Sequence, residues 1–122
     1  MSHILVIEDN HVNLEMITFL LKSFGHTTKT ASDGAAGVKM AEVEDFDLII
    51  CDLQLPKLDG YGVVKLLKHN EALAHIPVIA VSSYAMVGDK EKAMAGGFDF
   101  YISKPIDPSS FVTEIERCIK AP

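Results

Sequence analysis

The sequence predicts an α/β fold: a doubly wound, five-stranded parallel sheet with helices on both faces. Two patterns carry that reading. Short apolar runs alternate with amphipathic stretches along the whole chain. The runs are continuous rather than alternating, which signals strands buried on both faces.

The elements follow in order. Ile4 to Ile7 is an apolar run of strand length. Val12 to Phe24 reads as a helix presenting Val12, Met16, Ile17, Leu20, Leu21 and Phe24 on one face, with Asn10 as its cap and Gly25 as its end. Thr27 to Ala31 is a weak second strand, and Asp33 caps a helix running to about Val43. Leu48 to Cys51 is the third strand and ends at Asp52; Asp59 precedes a helix from Gly60 to Lys68. Val78 to Val81 ends at Ser82, and a helix from about Val87 to Ala95 is closed by Gly96 and Gly97. Phe98 to Ile102 is the fifth strand. Asp107-Pro108 opens the last helix, which turns Phe111, Val112, Ile115, Cys118 and Ile119 inward.

Size and composition agree. A length of 122 residues makes one domain, 1–122, the default, and it suffices for a core without staples. The last helix ends almost at the C-terminus, and Met1 just before the first strand favours a free-standing protein. A net charge of −6 without a Lys/Arg cluster argues against nucleic acid and points to protein partners or cations. Two isolated cysteines, Cys51 and Cys118, fit free thiols in a reducing cytoplasm. No run is long enough to span a bilayer, and no leader pattern precedes the first strand.

In such a sheet, ligands bind at the carboxyl ends of the strands. Glu8 and Asp9 follow the first run, Asp52 the third, Ser82 the fourth, and Ser103, Lys104 and Pro105 the fifth. Singly, each is weak. An aspartate after a strand is usually a turn or cap, a serine usually a cap, and a lysine usually a solvated group. Together they converge on one edge. Three crowded carboxylates call for a cation, and hard oxygen ligands suit Mg2+. With a lysine alongside, the site suits a visiting anion, with phosphate the obvious candidate, and a carboxylate can itself be the nucleophile.

At these residues the chain resembles a known family. Glu8-Asp9-Asn10, the stretch from Asp52 through Pro56 to Asp59-Gly60, Ser82-Ser83 and Lys104-Pro105 are similar to the CheY-like receiver domain of bacterial two-component response regulators. The look is that of single-domain regulators of the DivK type. The resemblance implies a flavodoxin-like (βα)5 fold with strand order 2-1-3-4-5. It implies Asp52 as phospho-acceptor and Asp9, Asp52 and the backbone carbonyl of Gln54 as magnesium ligands, with Glu8 acting through water. Ser82 and Lys104 would contact the phosphoryl group, with backbone N–H groups from Ser83 and Leu53. Tyr101 matches the aromatic switch residue coupled to Ser82, and the two are expected at the ends of adjacent strands. Gln54 and Tyr84 would tune dephosphorylation. The Lys104-Pro105 bond is cis in the family. The departures are Glu8 where many members have Asp, Ser82 where Thr is commoner, and Ser83 in place of a small alanine.

The implied role is a cytoplasmic signalling module rather than an enzyme acting on outside substrates. A histidine kinase or histidine phosphotransfer protein would supply the phosphoryl group. Output would pass to a downstream protein through a face made by the fourth helix, fifth strand and fifth helix, where Met86, Met94 and Phe98 are candidates. An aspartate-nucleophile phosphatase is the first alternative, but it needs an acid where Gln54 stands. A flavin-binding protein would need a Ser/Thr/Gly-rich loop after the first strand, where Glu8-Asp9 would repel phosphate. A receiver excised from a hybrid kinase or larger regulator is the remaining alternative.

Overall fold

The apolar runs become the centre of the molecule. The computed structural model describes residues 2–83 and 88–120. Its elements run β1 (His3–Ile7), α1 (His11–Ser23), β2 (Thr27–Ala31), α2 (Gly34–Val43), β3 (Leu48–Asp52), α3 (Gly60–His69), β4 (Val78–Ser82), α4 (Asp89–Ala95), β5 (Phe100–Ser103) and α5 (Pro108–Lys120). All neighbouring strands are parallel, in the order β2-β1-β3-β4-β5.

Every residue of β3 and β4 is buried, because helices cover both faces there. Alternate residues feed two cores. Leu5, Ile7, Ile49, Cys51, Val78 and Ala80 join the layer containing Ala41 of α2, Val63 and Leu67 of α3, and Ala93 of α4. Ile4, Val6, Leu48, Ile50, Ile79 and Val81 join Ile17 and Leu21 of α1 with Phe111, Val112 and Ile115 of α5. The outer strand β2 is mostly polar, and Lys29 on it discourages pairing with another chain.

Two caps behave as the sequence suggests, and Asp59 makes a third. Asn10, Asp33 and Asp59 accept from the backbone N–H groups of Asn13, Ala36 and Gly62 at 3.0, 2.7 and 2.9 Å. Gly25 takes a left-handed φ of 89° just after α1, which a side chain would strain.

Several expectations need correction. Val12 and Phe24 are exposed, and Leu14 packs in their stead. Val12 lies about 140° around the helix axis from Ile17, at 3.6 residues per turn, and Phe24 is past the last helical residue. Phe98 precedes β5 and is buried, edge-on to Tyr61 with centroids 6.0 Å apart, so it presents nothing to a partner. The described part of α4 begins at Asp89; Tyr84, Met86 and Val87 lie outside the described residues. Both cysteines are free and buried.

Candidate functional site

The parallel sheet delivers the acidic and basic groups to one rim, at the carboxyl ends of β1, β3 and β5. Glu8 and Asp9 follow β1, Asp52 ends β3, and Lys104 follows β5. Glu8 and Asp52 are buried, and Asp9 is exposed. Oxygens of the three acids lie within 4.8 Å of one another. Lys104 Nζ donates to Glu8 Oε1 and to Asp52 Oδ2, each at 2.8 Å. The other oxygen of each is also engaged: Glu8 Oε2 accepts from the Asn10 N–H at 3.2 Å, and Asp52 Oδ1 from the Gln54 N–H at 2.9 Å.

The charges hold each other in place. Burial pushes the Glu8 carboxyl up to about 7; its contact with Asp52 adds to the rise, and Lys104 opposes it. Burial alone would lower the Lys104 ammonium, but hydrogen bonds to Asp52 and Glu8 outweigh it and the group is held above its ordinary value. Lys104 is therefore a fixed cation. The donor set offered to a metal is entirely carboxylate oxygen, which fits a hard divalent ion such as Mg2+ and not a softer one.

Side-chain alternation separates two groups of residues. Glu8, Asp52 and Lys104 continue the register of Val6, Ile50 and Ile102, on the side of α1 and α5. Ser82 continues the register of Val78 and Ala80, on the side of α4. Tyr101 pairs with Ala80 and is half-buried on that same side. It does not stand at the end of its strand, since Ser103 is the partner of Ser82. Ser82 is fully buried, Ser83 is exposed, and the Lys104 N–H donates to the Ser82 carbonyl at 2.7 Å.

One backbone assignment is overturned. The Leu53 N–H extends the sheet by donating to the Val81 carbonyl at 3.1 Å, so it does not face the Asp52 carboxylate. The N–H that does is the one on Gln54, the first residue free of the β ladder. The Lys104-Pro105 bond is cis, as the resemblance implied.

Sequence reasoning missed the cleft beside Asp52. About 270 Å³ in volume, it is lined by Gln54, Asp59, Tyr61, Ser82, Asp89 and Lys92. Lys92 Nζ stands 5.3 Å from the centre of the Tyr61 ring, within cation–π range. Tyr61, next to Gly60 at the start of α3, was the only signal in the sequence.

Comparison with known proteins gives the family. The model of the response regulator receiver domain matches residues 4–116. The polar-differentiation response regulator DivK of Brucella ovis is 40% identical over 113 residues, 93% of this chain and 92% of the relative. The receiver domain of a sensor histidine kinase from Pseudomonas aeruginosa PAO1, with a magnesium ion coordinated in its active site cleft, is 32% identical with a TM-score of 0.90 over 98% of both chains. The chemotaxis response regulator CheY4 of Vibrio cholerae, 24% identical, has the same fold, with a TM-score of 0.91 over 97% of this chain and 98% of that one. The chain belongs to the response regulator receiver domain family.

Proposed function

We propose that this receiver is a phosphorylation switch in a two-component phosphorelay, with Asp52 as acceptor. The observation that carries the reading is the bridge from Lys104 Nζ to both Glu8 and Asp52. It fixes a permanent cation beside a buried carboxylate whose other oxygen is oriented by a backbone N–H. The two-component role is the one its family membership implies.

The chemistry is that of an aspartyl phosphate. An oxygen of Asp52 attacks the phosphorus of a phosphohistidine on a histidine kinase or phosphotransfer protein. The O–P bond forms as the N–P bond breaks, and the imidazole nitrogen leaves with the electron pair. Asp9, Asp52 and the Gln54 carbonyl are the proposed Mg2+ ligands, with Glu8 acting through water; held there, the ion would supply positive charge to offset that on the phosphoryl oxygens. Lys104 is within reach of the same oxygens. The Ser82 hydroxyl and the N–H groups of Gln54 and Ser83 are the proposed hydrogen-bond donors. Water later attacks phosphorus, the bond from phosphorus to the Asp52 oxygen breaks, and inorganic phosphate leaves; the exposed Gln54 side chain is the proposed tuning group for that step. The proposed tuning role of Tyr84 lies outside the described residues.

Output is proposed to run from Ser82 to Tyr101 and on to α4, β5 and α5. That face carries a groove of about 420 Å³ lined in part by Lys90, Met94, Phe100, Tyr101 and Arg117. Met94 is 40% exposed, a large apolar group open to a partner. Among the described residues no helix is long and apolar enough to cross a membrane; a cytoplasmic place and a one-domain module over 1–122 belong to the same proposal. The likeness to a receiver from a sensor histidine kinase supports a second reading, the same switch as part of a longer kinase.

Intact mass after incubation with acetyl phosphate and Mg2+ tests the acceptor. Wild type is expected to gain one phosphoryl mass, and Asp52→Asn or EDTA to abolish it. Labelling that persists in Asp52→Asn would place the acceptor elsewhere.

A further inference from the structure

The loop joining β3 to α3, residues 53–59, is held at both ends by glycines that have no room for a side chain. At its start, a Cβ on Gly60 would stand 2.5 Å from the Asp52 carbonyl oxygen and 2.7 Å from Leu53 Cα, and the Gly60 N–H donates to the Leu53 carbonyl at 3.0 Å. At its far side, Gly34 opens α2. A Cβ there would overlap the Leu58 carbonyl oxygen and come within 2.8 Å of its carbon and 2.9 Å of Val63 Cγ2. Helix α2 supplies no group to the rim, yet its first residue lies directly against the acceptor loop.

The loop has no slack between these clamps. The Leu58 N–H donates to the Pro56 carbonyl at 2.7 Å around Lys57, whose φ is 68°. That is a γ-turn with a non-glycine residue in the left-handed region, a tight and strained form. Asp33, the cap of α2, also reaches this turn: its Oδ2 lies 3.6 Å from Lys57 Nζ. A push on the Leu58 carbonyl cannot be absorbed by a turn already this tight. With Gly60 fixed against Asp52, the displacement passes back toward Gln54.

We propose that Gly34 is a positioning residue for the Gln54 backbone: the side chain it lacks lets α2 seat the acceptor loop so that the Gln54 carbonyl is aimed at the metal. This rests on the reading above, in which Asp9, Asp52 and that carbonyl hold Mg2+. Backbone ligands cannot be moved by changing their own side chain, so their geometry is set by whatever presses on the loop. Here that contact comes from a helix outside the site.

Isothermal titration of Mg2+ into the purified chain, paired with thermal melts in EDTA, tests it. Gly34→Ala is expected to weaken Mg2+ binding about tenfold, the loss usual for a group that orients a metal ligand. Ala41→Gly, buried on the same helix but away from the loop, is expected to lower the melting temperature and leave Mg2+ affinity unchanged. Should Gly34→Ala fail to fold, Lys57→Gly gives an independent measure. Relief of the left-handed strain raises the melting temperature, while the loosened loop binds Mg2+ several-fold more weakly. Wild-type affinity in Gly34→Ala, or in Lys57→Gly, overturns the inference and leaves the metal reading intact. A wild-type chain that takes up no Mg2+, or an Asp9→Asn variant that binds it as well as wild type, overturns the metal reading itself.

Discussion

His26 and Glu116 are joined across 90 residues of sequence: His26 Nε2 lies 2.9 Å from Glu116 Oε2, tying the turn after α1 to α5. The ring is buried, and its Nδ1 accepts from the Ser2 N–H at 3.1 Å, so the proton sits on Nε2 and is donated to Glu116. His26→Ala removes both contacts and leaves a void. It is expected to destabilise the chain by about 2 kcal/mol, whereas Glu116→Gln, which still accepts, costs under about 0.5 kcal/mol. Urea denaturation reads both; equal losses would mean that the charge, not the hydrogen bond, matters.

Lys104 makes the second prediction. Replacing it with Met strands Glu8 and Asp52 as buried acids without their cation. In EDTA the loss is expected to be about 3 kcal/mol, in the range for breaking a buried ion pair. Added Mg2+ should recover part of it, because an ion bound only by the folded state stabilises that state. A Lys104→Met chain as stable as wild type in EDTA would show that the acids accommodate one another unaided.

Helix α1 offers a paired test of which face is inward. Ile17 is 1% exposed and Val12 76%. Ile17→Ala is expected to cost about 2–5 kcal/mol and Val12→Ala less than about 0.5 kcal/mol. Similar losses for the two would restore the broader apolar stripe read from the sequence.

The thiols give a prediction in pH. Burial raises both; for Cys118 it does so to about 11, with Glu114 adding to the rise, and Cys51 is raised further, first by burial and then by Asp52. A raised thiol is protonated, and so unreactive, at all pH values well below its own. Between pH 7 and 9 the native chain should therefore alkylate slowly with iodoacetamide, faster at Cys118 as pH rises, while urea exposes both at once. Rapid labelling at pH 7 would refute the buried placement.

Much of this was legible in advance, for reasons visible residue by residue. ILVI, LIIC and VIAV read as strands because a strand covered on both faces has no polar side to interrupt the run. Asn10 and Asp33 read as caps because the interaction is local, three residues away. The rim assembled itself once the strands were parallel, since each strand end then lands on one side. What stayed hidden depends on pairings between distant segments. Val12 had the right spacing, but only the docking angle of α1 decides where an apolar stripe stops. The Leu53 N–H was assigned to the phosphoryl group because nothing in the sequence says that the β3–β4 ladder runs one bond past Asp52. Nothing in the sequence marks Gly34, because its neighbour Leu58 lies in a loop whose path no local rule supplies.

The split in side-chain alternation has a consequence for how such a module can change over generations. Glu8, Asp52 and Lys104 follow the register of one core layer, Ser82 and Tyr101 that of the other, and the two sets come together only at the carboxyl rim of the sheet. Substitutions on the α1 surface can alter which donor is admitted while Tyr101 and the groove at α4 stay untouched. Substitutions around α4 can alter which listener is addressed while the acids and the lysine stay untouched. The sheet thus lets a duplicated copy acquire a new input or a new output one at a time, without passing through a form that has lost both.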